Sequence, residues 1–339
     1  MVTTDPRIRD RALGALWGLA VGDALGMPTQ LMSRQQVVER FGTLDGFRPA
    51  GADHPIAAGL PAGRITDDTE QALLLARLLL ASDGHVDPAR FARLLVEWED
   101  DMRARGSLDL LGPSTRNAVA AVLAGVPVDQ AGRTGTTNGA AMRITPVGLL
   151  MASDDLPALV DRVVEASLVT HHTQLAIAGA SAVAAAVSAG IDGADVRATV
   201  PVAIEAARLG AQHGSWIAGA QVARRIGWAV DLMDPARPGD GLRDVVELVG
   251  TSLATQESVP AAFAVLALFP DDPWRACLAA ASLGGDTDTI AAMAGAIGGA
   301  CHGTAGFPAA ARETVATVND LDLAEIADGL LALRRAPGR

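Results

Sequence analysis

Almost every stretch of this chain long enough to form regular structure is rich in Ala and Leu, and none alternates polar with β-branched or aromatic residues over a useful length. Ala and Leu are among the best helix formers, whereas strands call for period-two runs of Val, Ile, Thr and aromatic side chains. There is no Tyr, and aromatic residues make up only 3 % of the chain. An all-α fold is expected. Half of the 339 residues are hydrophobic, which is ample for a large core. No Pro/Ser-rich linker or shift in composition divides the chain, so one compact multi-helix domain over residues 1–339 is expected.

Start and stop signals punctuate this pattern. Thr4-Asp5-Pro6 opens a helix, expected to run to about Val21 and to end in Gly22-Asp23-Ala24-Leu25-Gly26. Residues 42–65, rich in Gly, Pro and Ala and containing His54, form the longest irregular stretch, the kind of segment often used as a lid. Helical periodicity follows at residues 71–80, 87–102, 114–124, 156–168, 176–189, 194–209, 216–230, 242–253, 260–268, 273–282, 290–300, 309–318 and 323–333. Residues 132–139 (GRTGTTNG) make a second polar, glycine-rich loop.

Charge narrows the range of partners. A net charge of −12 repels nucleic acid and anionic membranes at long range, so neither extended nucleic-acid binding nor membrane association is expected. A small phosphate-bearing ligand stays compatible, because bound divalent cations invert the local field. Cys277 and Cys301 lack metal-ligand spacing and sit in apolar helical stretches; they read as buried free thiols of a reducing compartment. Residues 1–10 are partly acidic, and the apolar residues 13–25 are too short, and too interrupted by Asp23 and glycines, to span a bilayer. A cytoplasmic protein is expected.

Two short runs share one grammar: Thr66-Asp67-Asp68-Thr69 and Asp286-Thr287-Asp288-Thr289. Each opens an Ala-rich helical stretch with two carboxylates and hydroxyls in four residues. Each also reads as ordinary helix capping, since Asp67 with Glu70 makes a capping box and acids favour helix N-termini. Crowding several acids into one turn sets like charges against each other, however. The arrangement occurs twice, which favours a shared hard cation of the Mg2+ type ligated by oxygen.

These runs fall in a longer series. Gly22-Asp23-Ala24-Leu25-Gly26, Thr66-Asp67-Asp68-Thr69, Asn138-Gly139-Ala140-Ala141-Met142-Arg143, Thr170-His171 and Gly284-Gly285-Asp286-Thr287-Asp288-Thr289 stand in the order seen in the ADP-ribosylglycohydrolase family, which the chain resembles from about Arg11 to His302. It looks closest to a bacterial branch that shares Leu111-Gly112-Pro113-Ser114 and Glu257-Ser258-Val259-Pro260. The resemblance implies an all-α domain with two Mg2+ ions in a central cleft, held by Thr66, Asp67, Asp68, Asp286, Asp288 and Thr289. It further implies that the turn at Asn138, Gly139, Ala140, Met142 and Arg143 lies against a diphosphate. His171 would bind ligand rather than act as a base. From the residues alone, that turn reads first as an ordinary loop with Asn138 as helix cap, and His171 as a buried core histidine.

Two departures from the family pattern bear on mechanism. Many members carry a catalytic glutamate seven residues after the aspartate of the Gly-Asp motif, and here that position is Gln30, which cannot take a proton from water. The other candidate acid, Asp109, precedes Gly112-Pro113-Ser114-Thr115 and is shifted by one residue. Either Asp109 is the base, or a water at the metal site gives its proton to a carboxylate such as Asp68. The second departure is the scarcity of aromatic rings to clasp an adenine; Trp216 is the one aromatic residue placed near the cleft, with a plain core or surface role as its alternative. Three functions follow: a Mg2+-dependent hydrolase acting on an ADP-ribosylated acceptor, a nucleoside-type N-ribohydrolase acting on a smaller ribosyl ligand, or a non-catalytic, crystallin-like ADP-ribose-binding protein.

Overall fold

The computed structural model describes residues 5–105 and 111–334. In chain order its α-helices begin with α1 (Pro6–Gly26), α2 (Arg34–Phe41), α3 (Asp67–Ala81), α4 (Pro88–Ala104), α5 (Pro113–Leu123) and α6 (Val128–Ala131). Next come α7 (Gly139–Met142), α8 (Thr145–Leu150), α9 (Leu156–Ser167), α10 (Gln174–Ile191), α11 (Val196–Gly210) and α12 (Val222–Asp231). The last six are α13 (Pro238–Asp244), α14 (Thr255–Leu268), α15 (Pro273–Ala281), α16 (Thr287–His302), α17 (Ala309–Asn319) and α18 (Ala324–Arg334). Among the described residues there is no strand, only isolated bridges such as Thr137 with Ala254. The all-α expectation holds.

Three helices form the centre. In α10, every residue from Leu175 to Ile191 is buried. It is apolar and long enough to cross a membrane by composition, yet it lies inside the molecule, packed against α11, α16 and α8. Beside it, α1 and α16 lie antiparallel with their backbones in contact. A Cβ added at Gly14, Gly18 or Gly22 would fall 2.3, 2.0 and 2.0 Å from the carbonyl oxygens of Gly299, Gly295 and Ala291. One at Gly26 would fall 2.4 Å from the Asp288 Cα. Only glycine allows this approach, because nothing within a packed interior can yield so far.

This explains a difference from expectation. The first helix ends within the expected Gly22–Gly26 segment, but at its last residue rather than near Val21; the segment is helical, and its glycines serve close packing, which carries the last turn of α1 between the starts of α3 and α16. Elsewhere α12 begins at Val222 rather than near Trp216, and Trp216 is 78 % exposed, away from the cleft. The expected helix over 242–253 is α13 continued by one wide turn, Val245–Val249, that stops at Gly250 with φ 90°. Pro260 lies inside α14 rather than at its start. The long 42–65 segment is irregular as expected, but it is tied down: His54 is buried, its Nδ1 accepts from the Ala57 N–H (2.9 Å), and its Nε2–H therefore donates to the Gln30 carbonyl (3.0 Å). Cys277 and Cys301 are buried free thiols, and burial pushes the Cys301 thiol up to about 12.

Candidate active site

Thr66 is the residue before α3, and its side chain does not cap its own helix. That task falls to Asp23 from α1, a fully buried carboxylate. It accepts from Thr66 N (3.0 Å), Thr66 Oγ1 (2.8 Å), Thr69 N (3.1 Å) and Thr69 Oγ1 (2.5 Å). Burial raises its pKa to about 6, against the pull of those four donors. The Gly-Asp motif marks Asp23 in the sequence but not this role, because its partners lie more than 40 residues away and no local signal points to them.

Asp68 sits where the two acidic runs meet. Its Oδ2 is 3.3 Å from Thr66 Oγ1 and 3.4 Å from Thr289 Oγ1 at the start of α16. Its Oδ1 is buried without a hydrogen-bond partner among the described residues. Burial, then the charges of Asp288, Asp67, Asp23 and Asp286, hold its pKa well above the usual carboxylate range. Thr66 has a single hydroxyl proton, and the shorter contact gives it to Asp23, so Thr66 Oγ1 turns a lone pair toward Asp68.

Asp286 precedes α16 and accepts a short hydrogen bond from Asn138 Nδ2, which also reaches Ser258 Oγ at 2.9 Å. Burial raises Asp286 to about 6, with the hydrogen bonds from Asn138 and Thr289 opposing. Gly284 and Gly285, both near φ 80°, make the turn that delivers it. The Gly285 carbonyl accepts from Leu31 N (2.7 Å), and Gly285 N donates to the Met32 carbonyl (2.8 Å). The segment carrying Gln30 is thereby locked to the second acidic run.

These elements enclose a cleft of about 330 Å3 lined by Gln30, Asp67, Asn138, Gly139, Met142, Asp286, Asp288 and Thr289. Leu31, Ile56, Leu111, Thr115, Arg116, Thr137 and Leu253 complete much of its wall. Thr66 and Asp68 lie buried behind it. The volume is at the small end of ligand pockets, roughly 300–1,000 Å3. Among the described residues no aromatic ring lines it. Gln30 is 4 % exposed and its Nε2 has no hydrogen-bond partner among the described residues, an amide donor at the cleft. Asp109 lies outside the described residues.

Three of the residues expected to bind ligand, Ala140, Arg143 and His171, do not line the cleft themselves. Ala140 is buried and does not line the cleft. Arg143 is also fully buried, against the face of Phe91 at 5.2 Å, and holds the site from behind. Its Nη1 donates to Gln71 Oε1 (3.0 Å), whose Nε2 donates to Asp67 Oδ2 (3.0 Å). Its Nη2 donates to Thr170 Oγ1, leaving the Thr170 hydroxyl to donate to His171 Nδ1 (2.7 Å). His171 Nε2–H then donates to Thr137 Oγ1 (3.0 Å). His171 thus reaches the cleft through Thr137. Burial and the Arg143 charge hold it well below the usual histidine value, so it is neutral and no acid. Burial lowers Arg143 to about 10, which still leaves it charged at neutral pH.

The residues present suit a hard divalent cation. Asp68 Oδ1 lacks a donor, Thr66 offers a lone pair, and several buried carboxylates repel one another. Among the described residues no three carboxylate, imidazole or thiol groups already close on one point. The set is open, and it mixes hydroxyl with carboxylate oxygens, as suits an ion that keeps part of its water shell.

A family model described as ADP-ribosylglycohydrolase matches residues 4–339. The chain belongs to the ADP-ribosylglycohydrolase family. A relative from Escherichia coli (strain K12), described as the uncharacterized protein YegU, is 38 % identical over 96 % of this chain and 98 % of its own. The ADP-ribosyl-dinitrogen reductase glycohydrolase of Rhodospirillum rubrum is 28 % identical over 97 % of this chain and 98 % of its own. A solved structure described as an ADP-ribosylglycohydrolase-related protein complex matches with a TM-score of 0.68 at 28 % identity, covering 97 % of this chain and 98 % of that one. Membership in the ADP-ribosylglycohydrolase family supports hydrolysis of an ADP-ribose–acceptor linkage as the class of reaction.

Proposed function

We propose that this ADP-ribosylglycohydrolase family member is a Mg2+-dependent hydrolase that cleaves the glycosidic bond at the ribose anomeric carbon of an ADP-ribosylated acceptor. The observation that carries the reading is the meeting of the two acidic runs: Asp68 from α3 contacts Thr289 of α16 and keeps one buried oxygen without a donor. Thr66, Asp67, Asp68, Asp286, Asp288 and Thr289 would hold two ions. Bound Mg2+ supplies charge neutralisation, orientation of the ribose hydroxyls and acidification of water.

The chain's own residues supply the rest. Asp23 fixes Thr66 and Thr69, Asn138 fixes Asp286, and the Arg143 network fixes Asp67 and Thr137. This preorganisation costs no rearrangement when substrate arrives. Hydrolysis breaks the C1–N or C1–O bond and joins a water oxygen to C1. One water proton must pass to an acceptor and end on the departing nitrogen or oxygen; the cleft carboxylates can carry it, whereas the Gln30 amide cannot. Gln30 donates a hydrogen bond instead.

The test is a turnover screen with Mg2+ over ADP-ribosylated arginine, ADP-ribosylated serine, ADP-ribosylated nucleic-acid ends, O-acetyl-ADP-ribose and free nucleosides. Release of ADP-ribose from at least one acceptor is expected. The small cleft without aromatic rings favours a second reading, a nucleoside-type N-ribohydrolase. Release of free base from nucleosides, with no ADP-ribosylated acceptor consumed, would put that reading first.

A further inference from the structure

Gln30 brings to the cleft an amide donor, Nε2, that is buried and meets no hydrogen-bond partner among the described residues. Its place is fixed by the backbone around it. Gln30 N donates to the Gly26 carbonyl (3.2 Å), the Gln30 carbonyl accepts from His54 (3.0 Å), and Leu31 N donates to the Gly285 carbonyl (2.7 Å). These bonds hold Leu31 at φ 63°, a left-handed conformation that a leucine keeps only where its surroundings impose it. A buried donor held this firmly calls for an acceptor on the ligand, because leaving it unmatched is costly.

The charges around Gln30 are a second, independent observation. Among the described residues, the charged groups lining the cleft are Asp67, Asp286, Asp288 and Arg116. The three carboxylates belong to the cation site, where bound Mg2+ takes up their charge, and the remaining group is positive. Toward the outside, Leu31 is 52 % exposed and lines both the cleft and a second hollow of about 500 Å3. In that hollow Asp53 is paired with Arg40 (2.5 Å), and Glu39 accepts from Gln35 (2.7 Å). Each carboxylate along the way is thus engaged. A guanidinium would find no counter-charge kept for it, and a cation taken out of water without one is costly.

We infer that the leaving group this site accepts is a neutral one bearing a hydrogen-bond acceptor, read by Gln30, and not a guanidinium. The inference rests on the ribosyl-hydrolase reading above and names its acceptor class. An oxygen-linked acceptor, such as a serine side chain or an acyl ester, fits, and so does a heterocyclic base. Both offer lone pairs to an N–H donor. Both also leave with the electron pair of the broken C1 bond, and a donor at that place stabilises the charge that develops. A guanidinium offers N–H donors and no acceptor, so it sets donor against donor at Gln30 Nε2. Gln30 binds and selects; it takes no proton.

The test is turnover, in Mg2+, of one peptide ADP-ribosylated on serine or on arginine, of O-acetyl-ADP-ribose and of inosine, by wild type, Gln30→Glu and Gln30→Met. Wild type is expected to prefer neutral leaving groups over arginine by about 10- to 100-fold in kcat/KM, the range of a charged hydrogen bond. Consumption of serine and acyl linkages or of inosine tells which neutral class is the source. Gln30→Glu supplies the missing counter-charge and should lower KM for the arginine peptide about tenfold, with KM for neutral leaving groups little changed. Gln30→Met keeps the bulk, removes the donor, and should lower kcat/KM about 3- to 10-fold for neutral leaving groups alone. Agmatine, a free guanidinium, gives a readout without turnover: calorimetry with Mg2+ and ADP-ribose present should show tighter binding to Gln30→Glu than to wild type. Preference of wild type for the arginine peptide, no gain in agmatine affinity in Gln30→Glu, or a Gln30→Met loss shared by all substrates would overturn the inference. Agmatine bound by Gln30→Glu alone, with no substrate turned over by any form, would count against the hydrolase reading and uphold the exclusion of guanidinium by Gln30.

Discussion

Asp23 places four donors on one buried carboxylate, and in doing so decides which way Thr66 presents its oxygen. An Asn there keeps one acceptor oxygen and turns an NH2 group against hydroxyl and amide donors. Asp23→Asn should therefore cost about 1–3 kcal/mol in urea unfolding and weaken Mg2+ about 10- to 100-fold, as loss of a ligand-orienting partner does. Calorimetry and denaturation on the same variant check both. Gln30 poses the complementary question. Its amide sits at the cleft with a free donor, and its backbone is held by His54 and the Gly26 carbonyl. Gln30→Glu puts a proton acceptor at that place and should raise kcat by about tenfold or more, with KM little changed, on the acceptor found by the turnover screen. A flat response would show that Gln30 does not limit the rate.

At the scale of elements, the α1–α16 contact sets the position of the site. Gly18→Ala would put a Cβ 2.0 Å from the Gly295 carbonyl, forcing the helices apart. A loss of about 1–3 kcal/mol or more is expected from denaturant midpoints, together with weaker Mg2+ binding, since α16 carries Asp288 and is preceded directly by Asp286. The same contact shows what could and could not be read along the chain. Helices such as Pro273–Ala281 and Ala309–Asn319 were legible to within a residue or two, because Ala/Leu periodicity and Pro or Asp starts are local signals. The end of α1 at Gly26 was legible, but not that Gly22 continues the helix, because whether a glycine breaks a helix or admits a neighbour depends on a partner some 270 residues away. Arg143 was misplaced for the same reason: its motif position says nothing about the direction of its side chain.

Across the whole molecule, buried titratable groups shape stability. His171 is neutral in the folded protein and held well below its usual value by burial and Arg143, whereas the unfolded chain takes up a proton near 6.5. Its contribution is therefore fully present above about pH 6.5 and is lost as pH falls below that value toward its depressed folded pKa. Denaturant midpoints from pH 7.5 to 5.5 should fall more steeply for wild type than for His171→Gln; parallel curves would show that His171 does not govern the slope. The carboxylates act the other way, since Asp23 and Asp286, raised to about 6, burden the metal-free fold as pH rises from about 4 to about 6. A bound divalent cation relieves that burden.

The central claim is that the two acidic runs, far apart in sequence, form one cation-holding site. Calorimetric titration of Mg2+ into the metal-free protein at neutral pH measures it most directly. Saturable binding is predicted for wild type and its abolition in Asp286→Ala with Asp288→Ala. Absence of binding by wild type, or the same isotherm in the double variant, would contradict the account.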